Sequence, residues 1–309
     1  MNYHFASTCE LEEGIPEPEI HKFSRAVRRL LSCDSRPEYL SSEESREVED
    51  EIWSIIEQKE IEVLSFDVFD TYLLRNDKPE AVRFLEMSEY FLAELRRQYP
   101  KSNNLQALTA EDLCLARVLG MQATYRTRPL VEGCGEGLIE EVVAMQRNLL
   151  GLPEGVDDRL LDLEVEYEAE NLVANPLLQR LADRFRGRGG KVILVSDMYL
   201  GAKHIEKIVR KVVPQPAHDH LYSSADHVIS KRSGKIFAMV EKELDVEGAR
   251  ILHMGDSWLG DVRKPRNAGW NAFYFPISES EKRRRLRALE EFIYSMDAKG
   301  IETRPWAKV

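Results

Sequence analysis

The residues best suited to chemistry are three acids, a serine and a lysine that lie far apart in the chain: Asp67, Ser196, Lys231, Asp256 and Asp261. A carboxylate can act as a nucleophile and form a covalent intermediate. Two carboxylates close together can hold a divalent cation, and an ammonium and a hydroxyl can hold the oxygens of a transferring phosphoryl group. Taken singly, each of these residues has an ordinary structural role as a helix cap, a loop residue or a solvated lysine, so any shared chemistry depends on the fold bringing them together.

Short apolar runs, rich in β-branched and aromatic residues, end at several of these positions. The runs are residues 61–71, 191–197, 249–256, 271–276 and, more weakly, 220–224. Each is a candidate buried strand, and helical stretches separate most of them, so we predict an α/β fold with a doubly wound parallel sheet. Ligands bind beyond the carboxyl ends of such strands. Asp67, Ser196 and Asp256 are therefore expected to meet in one crevice.

A long insertion, residues 77–175, separates the first two of these strands. It shows helical spacing almost throughout, with a glycine-containing loop at 128–137. A simple crossover needs only about a dozen residues. We therefore interpret the insertion as a helical cap domain that lies over the strand ends.

The sequence outside these parts predicts additional helices at both ends. After an irregular lead-in (1–18), helical spacing covers 19–33 and 42–59, the second with an N-cap expected at Ser41 or Ser42. The predicted division is a helical extension at 1–60, a core at 61–76 and 176–276, the cap at 77–175, and a helix and tail at 277–309.

The C-terminal helix, expected at 278–297, carries the basic run KRRRLR at 282–287. We interpret this run as a solvated face balanced by neighbouring acids. These are Glu279, Glu281, Glu290 and Glu291. The alternative is a contact with an anionic partner or an oligomer interface.

Composition limits the partners. The formal net charge of −11 argues against a general nucleic-acid or membrane-surface binder. The N-terminus is acidic and lacks the basic and apolar regions of a signal peptide, so none is expected. No apolar run reaches the roughly 20 residues that a membrane-spanning helix needs. The cysteines (Cys9, Cys33, Cys114 and Cys134) form no CxxC pair, so we expect neither a zinc site nor a disulfide framework. We therefore expect a cytoplasmic setting. The sequence carries no signal of oligomeric state.

The order of these residues resembles the four motifs of the haloacid dehalogenase (HAD) superfamily. Asp67-Val-Phe-Asp-Thr71 matches the first motif and Ser196 the second. The third is matched by Lys231-Arg-Ser-Gly-Lys-Ile-Phe237, whose spacing favours Lys231 over Lys235, and the fourth by Asp256 with Asp261. The resemblance covers about residues 61–276 and implies a Rossmann-like core with a helical cap.

The resemblance also implies roles. Asp67 would be the nucleophile of a phosphatase, and Mg²⁺ would be held by Asp67, Asp256 and the backbone carbonyl of Phe69. Lys231 and Ser196 would hold the phosphoryl oxygens, and Asp261 would orient Lys231 or a metal-bound water. A small phosphorylated molecule would be the substrate.

The sequence departs from most phosphatases of this superfamily at Phe69, where they carry a second aspartate as general acid and base. Asp70 is a poor substitute, because side chains three apart on an extended segment point to different faces. A cap acid such as Glu166 or Glu170 is a further candidate. A lost general acid matters least for good leaving groups such as acyl phosphates.

Two other classes stay open. Dehalogenases and phosphonate-cleaving relatives also carry an aromatic or small residue at the position of Phe69. The former need no metal-ligating acid such as Asp256, and the latter need a cap lysine, for which only Lys78 and Lys101 are present. The other class is a non-catalytic binding module.

The DVFDTYLLR and SDMYL segments further resemble a branch encoded among surface-polysaccharide genes. This resemblance implies a phosphosugar or polysaccharide precursor as the substrate.

Overall fold

The computed structural model describes residues 15–131 and 133–303. Its strands are β1 (Val63–Phe66), β2 (Leu73–Arg75), β3 (Leu172–Ala174), β4 (Lys191–Ser196), β5 (His220–Ser223), β6 (Ile251–Gly255) and β7 (Asn271–Tyr274). Five of them form a parallel sheet in the order β5-β4-β1-β6-β7. The predicted α/β fold is confirmed, because all five apolar runs supply strands of this sheet.

The helices flank this sheet and fill the insertion. They are α1 (Glu17–Ile20), α2 (Arg25–Ser32), α3 (Arg36–Ser41), α4 (Arg46–Gln58), α5 (Glu80–Gln98), α6 (Asn103–Ala107), α7 (Ala110–Thr127), α8 (Ile139–Leu150), α9 (Asp157–Glu170), α10 (Pro176–Arg186), α11 (Ala202–Val212), α12 (Ser224–His227), α13 (Lys235–Leu244), α14 (Lys264–Asn267) and α15 (Glu279–Ala298). The long helices α5, α7, α8 and α9 lie where the sequence predicts helical stretches of the insertion.

The insertion is not wholly helical, which corrects the sequence interpretation. Its last residues form β3, which pairs antiparallel with β2, and Leu73 lies opposite Ala174. The apolar spacing of α9 runs into Leu172 and Val173 without a break, so the pattern wrongly extends the helix. Strands of three residues are stabilised by their pairing rather than by local propensity. Here β2 precedes the insertion in the sequence and β3 lies at its end, so neither strand has a local signal of its partner.

The helix expected at 19–33 is interrupted, because α1 ends at Ile20 and α2 begins at Arg25 with Ser24 as its N-cap. The helix expected at 42–59 is present as α4, but its predicted cap is wrong. α4 begins at Arg46, after a short 3₁₀ turn at Glu43–Ser45. The Ser42 hydroxyl donates to the Tyr39 carbonyl at 2.7 Å instead, and the Ser41 hydroxyl donates to the Pro37 carbonyl at 2.7 Å within α3. Residues 1–14, which include most of the expected lead-in and Cys9, lie outside the described residues, as does the tail at 304–309.

β1 lies at the centre of the sheet, between β4 and β6, and all four of its residues are buried. Because the three strands are parallel, their carboxyl ends lie side by side at one edge. A well-packed central strand holds the residue that follows it in a fixed position.

None of the helices in the described ranges combines the length and the apolar character that a membrane crossing requires.

Candidate active site

The carboxyl ends of β1, β4 and β6 open into a pocket of about 270 Å³. Asp67 directly follows β1, Ser196 ends β4, and Asp256 directly follows β6. All three line the pocket, together with Lys231 and Asp261. The fold therefore gathers in one place the five side chains that the sequence singles out.

Lys231 connects two of the acids. Its Nζ donates to Asp67 Oδ1 at 2.5 Å and to Asp261 Oδ1 at 2.6 Å, and the side chain is almost fully buried. Burial disfavours the ammonium, but Asp261 and Asp67 raise the pKa of Lys231 above its usual range. Burial raises the pKa of Asp67 to about 7, against the lowering effect of Lys231. Lys231 is thus a permanent cation beside the expected nucleophile.

The backbone at Lys231 is held by Asp197, an acid outside the four sequence motifs. Asp197, which directly follows β4, accepts the backbone N–H of Lys231 at 2.8 Å and that of Arg232 at 3.3 Å. These bonds tie the turn before α13 to the end of β4. The available signal was the second polar residue at the end of the apolar run that supplies β4.

Asp261 is fixed by further bonds. Its Oδ1 accepts from His253 Nε2 at 3.1 Å, and its Oδ2 accepts from the Ser257 backbone N–H at 2.9 Å. Since burial lowers the pKa of His253, this ring is neutral, and its Nδ1 accepts from the Ser65 hydroxyl at 2.7 Å. A Cβ at Gly255 would lie 2.2 Å from the Asp261 carboxyl carbon, so glycine is needed there.

The pair Ser65 and His253 lies outside the sequence motifs. The two residues are register partners on β1 and β6, so their side chains share one face of the sheet. Single polar residues inside apolar strand runs were the signal that could have identified them. Their role is to orient Asp261, which in turn holds Lys231.

Asp256 brings a third carboxyl group close to Asp67 and Asp261. Carboxylate oxygens of Asp67, Asp256 and Asp261 lie within 4.8 Å of one another. Burial, together with Asp67 and Asp70, raises the pKa of Asp256 well above its usual range. Both oxygens of Asp261 already accept hydrogen bonds, so the pair Asp67 and Asp256 fits a divalent cation best.

Phe69, where a second aspartate is usual, packs against a cation. The Arg75 guanidinium lies 4.3 Å from the centre of the Phe69 ring, and the ring is 7% exposed. Both residues line the pocket. The pocket wall beside Asp67 is therefore formed by an apolar ring with a guanidinium group packed over its face.

Asp70 belongs to a buried cluster of charges. Arg285 of α15 donates to both of its carboxylate oxygens, at 2.6 and 3.0 Å, and Arg36 of α3 donates to its carbonyl at 2.6 Å and to its carboxylate at 3.2 Å. Despite burial, Arg285 and Arg36 lower the pKa of Asp70. Asp70 has φ = 60°, in the left-handed region. It lines the pocket as a fixed carboxylate and is not a proton donor.

This cluster corrects the interpretation of the basic run in α15. Arg285 is 12% exposed and reaches Asp70, and Arg284 donates to Asp77 at 2.6 Å. Glu281, expected to balance the run on the surface, is buried and accepts from the Arg36 Nε at 2.5 Å. The helix face is thus an intramolecular contact with the turn after β1.

The candidate proton donors Glu166 and Glu170, and the two other acids on the same helix, Glu164 and Glu168, lie outside the pocket. Glu164 accepts from Arg117 at 2.5 Å, and Glu166 accepts from Tyr90 at 3.1 Å. Glu168 binds two arginines, and Glu170 is exposed. These four residues are not among those that line the pocket.

Glu136 is a buried acid that the sequence analysis did not single out. It lies in the loop between α7 and α8, is 4% exposed, and accepts from the Ser224 hydroxyl at 3.1 Å. Burial and the nearby Asp197 raise its pKa to about 7. Its protonation therefore links the fold's stability to pH.

We expect Glu136→Gln to change the pH dependence of stability. The raised pKa gives the fold a stabilising contribution that is complete below about pH 4.5 and is lost as pH rises through about 7. Gln stays neutral, so the variant should exceed wild type in free energy of unfolding by up to about 3 kcal/mol at pH 8, and by little at pH 5. Urea denaturation at both pH values measures this difference. The exposed control Glu89→Gln should show no such trend, and an equal difference at both pH values for Glu136→Gln would contradict the assignment.

No family model and no curated protein matches this sequence. Solved structures of similar fold include the 2-haloacid dehalogenase from Pseudomonas syringae pv. Tomato DC3000, with 17% identity, 69% of this chain and 86% of that chain covered, and a TM-score of 0.46. A HAD family enzyme from Bacteroides thetaiotaomicron, solved with magnesium and inorganic phosphate, has 13% identity, coverage of 69% and 93%, and a TM-score of 0.43.

A third similar structure is the L-2-haloacid dehalogenase from Xanthobacter autotrophicus with chloropropionic acid covalently bound. It has 15% identity to this chain, covers 76% of this chain and 83% of its own, and has a TM-score of 0.44. These structural neighbours are HAD-like hydrolases. At such identities the similarity concerns the fold alone.

Proposed function

We propose that this chain is a Mg²⁺-dependent phosphatase that hydrolyses a small phosphorylated metabolite through an aspartyl-phosphate on Asp67. The observation that carries the proposal is the position of Lys231, whose Nζ lies 2.5 Å from Asp67 and 2.6 Å from Asp261 in a pocket that Asp256 also lines. A buried ammonium there favours the ionised nucleophile and provides a positive charge for phosphoryl oxygens.

In the proposed first step an Asp67 oxygen attacks phosphorus, the bond from phosphorus to the leaving oxygen breaks, and that oxygen departs with the electron pair. Lys231 and the Ser196 hydroxyl hold phosphoryl oxygens. In the second step water attacks the aspartyl-phosphate and releases inorganic phosphate and the free carboxylate. Asp261, fixed by His253 and the Ser257 N–H, keeps Lys231 in place.

A cation suits this arrangement. Asp67 and Asp256 would hold Mg²⁺, and we include the Phe69 carbonyl as a third ligand in the proposal. The ion would supply the positive charge that offsets the approach of an anionic substrate to an anionic nucleophile. The crowding of the carboxylates supports this assignment, because it costs free energy without a counter-charge.

The proposal extends to the domain division and the setting. Residues 77–175 would act as the cap, since Glu80 and Arg83 of α5 line the pocket. A cytoplasmic setting is part of the proposal, because the cysteines form no CxxC pair. A phosphosugar or polysaccharide precursor fits the resemblance of the motif segments.

The decisive assay measures phosphate release in Mg²⁺ from matched acyl, aryl and alkyl phosphates. Because Phe69 cannot donate a proton, the leaving oxygen must carry its charge unaided, and a general acid is typically worth about 10²–10⁴-fold. We expect kcat/KM to be higher for acyl and aryl phosphates than for alkyl phosphates. The ratio should be larger than the same ratio in an enzyme that has a general acid. Equal rates would mean that another group supplies the proton.

The variant Phe69→Asp completes this test. The new carboxyl would lie beside the Arg75 guanidinium, which would hold it ionised and so leave it without a proton to donate. We therefore expect Phe69→Asp alone to flatten the leaving-group dependence only slightly, and the double variant Phe69→Asp/Arg75→Met to flatten it more. Circular dichroism must first show that both variants fold, since the Phe69 ring is buried.

Carbon–halogen cleavage is the second candidate, and Phe69 is the observation that favours it. Asp256, with its raised pKa beside Asp67, weighs against it because a metal-free reaction gains nothing from this crowding. Phosphonate cleavage through a cap lysine finds little support, since Lys78 pairs with Glu86 at 2.7 Å and Lys101 is exposed. A purely binding module would not need Lys231 buried between two acids.

A further inference from the structure

Two arginines lie in the pocket wall on the side of Phe69. Arg75 ends β2, and Arg83 lies in the first turns of α5. Both line the pocket that contains Asp67. Their side chains are 13% and 9% exposed, so they form part of the wall and are not surface residues.

A single carboxylate holds both guanidinium groups. Glu168 accepts from Arg83 Nη1 at 2.9 Å with one oxygen and from Arg75 Nη2 at 3.3 Å with the other. The Arg75 and Arg83 Nε atoms are buried and have no hydrogen-bond partner. Unpaired donors of a buried charged group are costly. Rotation of either side chain towards an anion would therefore gain hydrogen bonds at Nε without losing any there.

The surroundings strengthen the attraction for an anion. The Phe69 ring covers one face of the Arg75 guanidinium, whose side chain is largely buried. A charge in such a site is less screened than one at the surface. Guanidinium groups also match carboxylate and phosphate oxygens in geometry, with two parallel bonds.

We propose that Arg75 and Arg83 form a subsite for a second anionic group on the substrate, a carboxylate or a further phosphate. This inference rests on the proposed phosphatase function, because it assumes that the phosphoryl group to be cleaved lies at Asp67 and Lys231. The remainder of the substrate then extends along the wall that Phe69, Arg75 and Arg83 form. Binding energy from this second group can be used at the reacting phosphorus, where a general acid is missing.

The test compares phenyl phosphate with 3-carboxyphenyl phosphate, which adds one carboxylate to the same skeleton, and with 3-phosphonophenyl phosphate. In wild type we expect a KM lower by roughly tenfold or more for one or both anionic analogues, as charge-assisted bonds predict. The better of the two identifies a carboxylate or a second phosphate as the natural group. Arg83→Gln and Arg75→Gln should bring the KM ratio close to one, and Arg83→Lys should retain part of it.

The matched control is Arg97→Gln on the same helix, because Arg97 is exposed and pairs only with Glu94 among the contacts described. Its KM ratio should equal that of wild type. If Arg83→Gln does not fold because Glu168 loses a partner, the double variant Arg83→Gln/Glu168→Gln removes both charges. A KM ratio of one in wild type, or an unchanged ratio in the folded Arg75 and Arg83 variants, would overturn the subsite.

Binding of inert analogues separates this inference from the proposed function. Calorimetry in Mg²⁺ compares benzylphosphonate with its 3-carboxy analogue, and neither requires turnover. Tighter binding of the carboxylated phosphonate without phosphate release from any substrate would keep the subsite and reject the phosphatase. Phosphate release with equal affinity for the two phosphonates would reject the subsite alone.

Discussion

Replacement of Asp67 by Asn is expected to abolish turnover while the fold is retained. The change removes the attacking oxygen's charge but keeps the size of the side chain at the end of β1, and loss of a nucleophile costs roughly 10⁴-fold or more in kcat. Phosphate release from the best substrate of the leaving-group series measures the effect. Lys231 loses one of its two acceptors, and the bond to Asp261 should still hold it.

The control for this variant is Asp183→Asn, an exposed acid on α10, which should match wild type. Mass spectrometry must exclude deamidation back to Asp. Turnover within tenfold of wild type in a pure, undeamidated sample would refute the role of Asp67 as nucleophile. The other assigned roles would then need to be reconsidered, because Lys231 and Asp256 derive theirs from Asp67.

Asp256→Ala is expected to lose Mg²⁺ binding and activity together, with a loss of several kcal/mol in transition-state stabilisation or roughly 10³-fold in rate. Without Mg²⁺, however, the variant should be at least as stable as wild type. Removal of one of the crowded carboxylates relieves repulsion, so in chelator the variant should unfold at the same temperature as wild type or higher. In millimolar Mg²⁺ wild type alone should gain stability from binding.

Thermal unfolding in chelator and in Mg²⁺, with calorimetric titration of the ion, checks this crossing of stabilities. Asp183→Ala serves as the control and should respond to Mg²⁺ like wild type. Full activity of wild type in chelator, or a variant that still binds Mg²⁺ with wild-type affinity, would rule out the assigned metal site.

The sheet could be predicted from sequence because its three central strands, β1, β4 and β6, are almost entirely buried and therefore appear as continuous apolar runs. β2 and β3 could not, since three-residue strands have little local signal and form only when the insertion brings them together. The C-terminal helix was recognised from its spacing, but not its contacts. A run such as KRRRLR looks solvated until the fold shows that Arg285 faces Asp70.

The site shows the same division. The five residues Asp67, Ser196, Lys231, Asp256 and Asp261 could be found because they follow strands or match a spacing. The residues that orient them could not, because Asp197, Ser65 and His253 act through neighbours on other strands. The arginines beside Phe69 carry no motif either. Their importance comes from a shared carboxylate and a ring that are distant in sequence.

The cluster of Arg36, Asp70, Arg285 and Glu281 has a consequence for how the protein folds. It joins the turn after Asp67 to segments near both ends of the described chain, so it can close only after those distant segments have docked. Contacts between such remote positions form late because the intervening loop must first be ordered. The sheet can therefore assemble before the turn at Asp70 takes its final shape. Fraying of α15 would in turn release the turn at Asp70 while the strands stay paired, so this part of the pocket wall opens with α15 and does not require global unfolding.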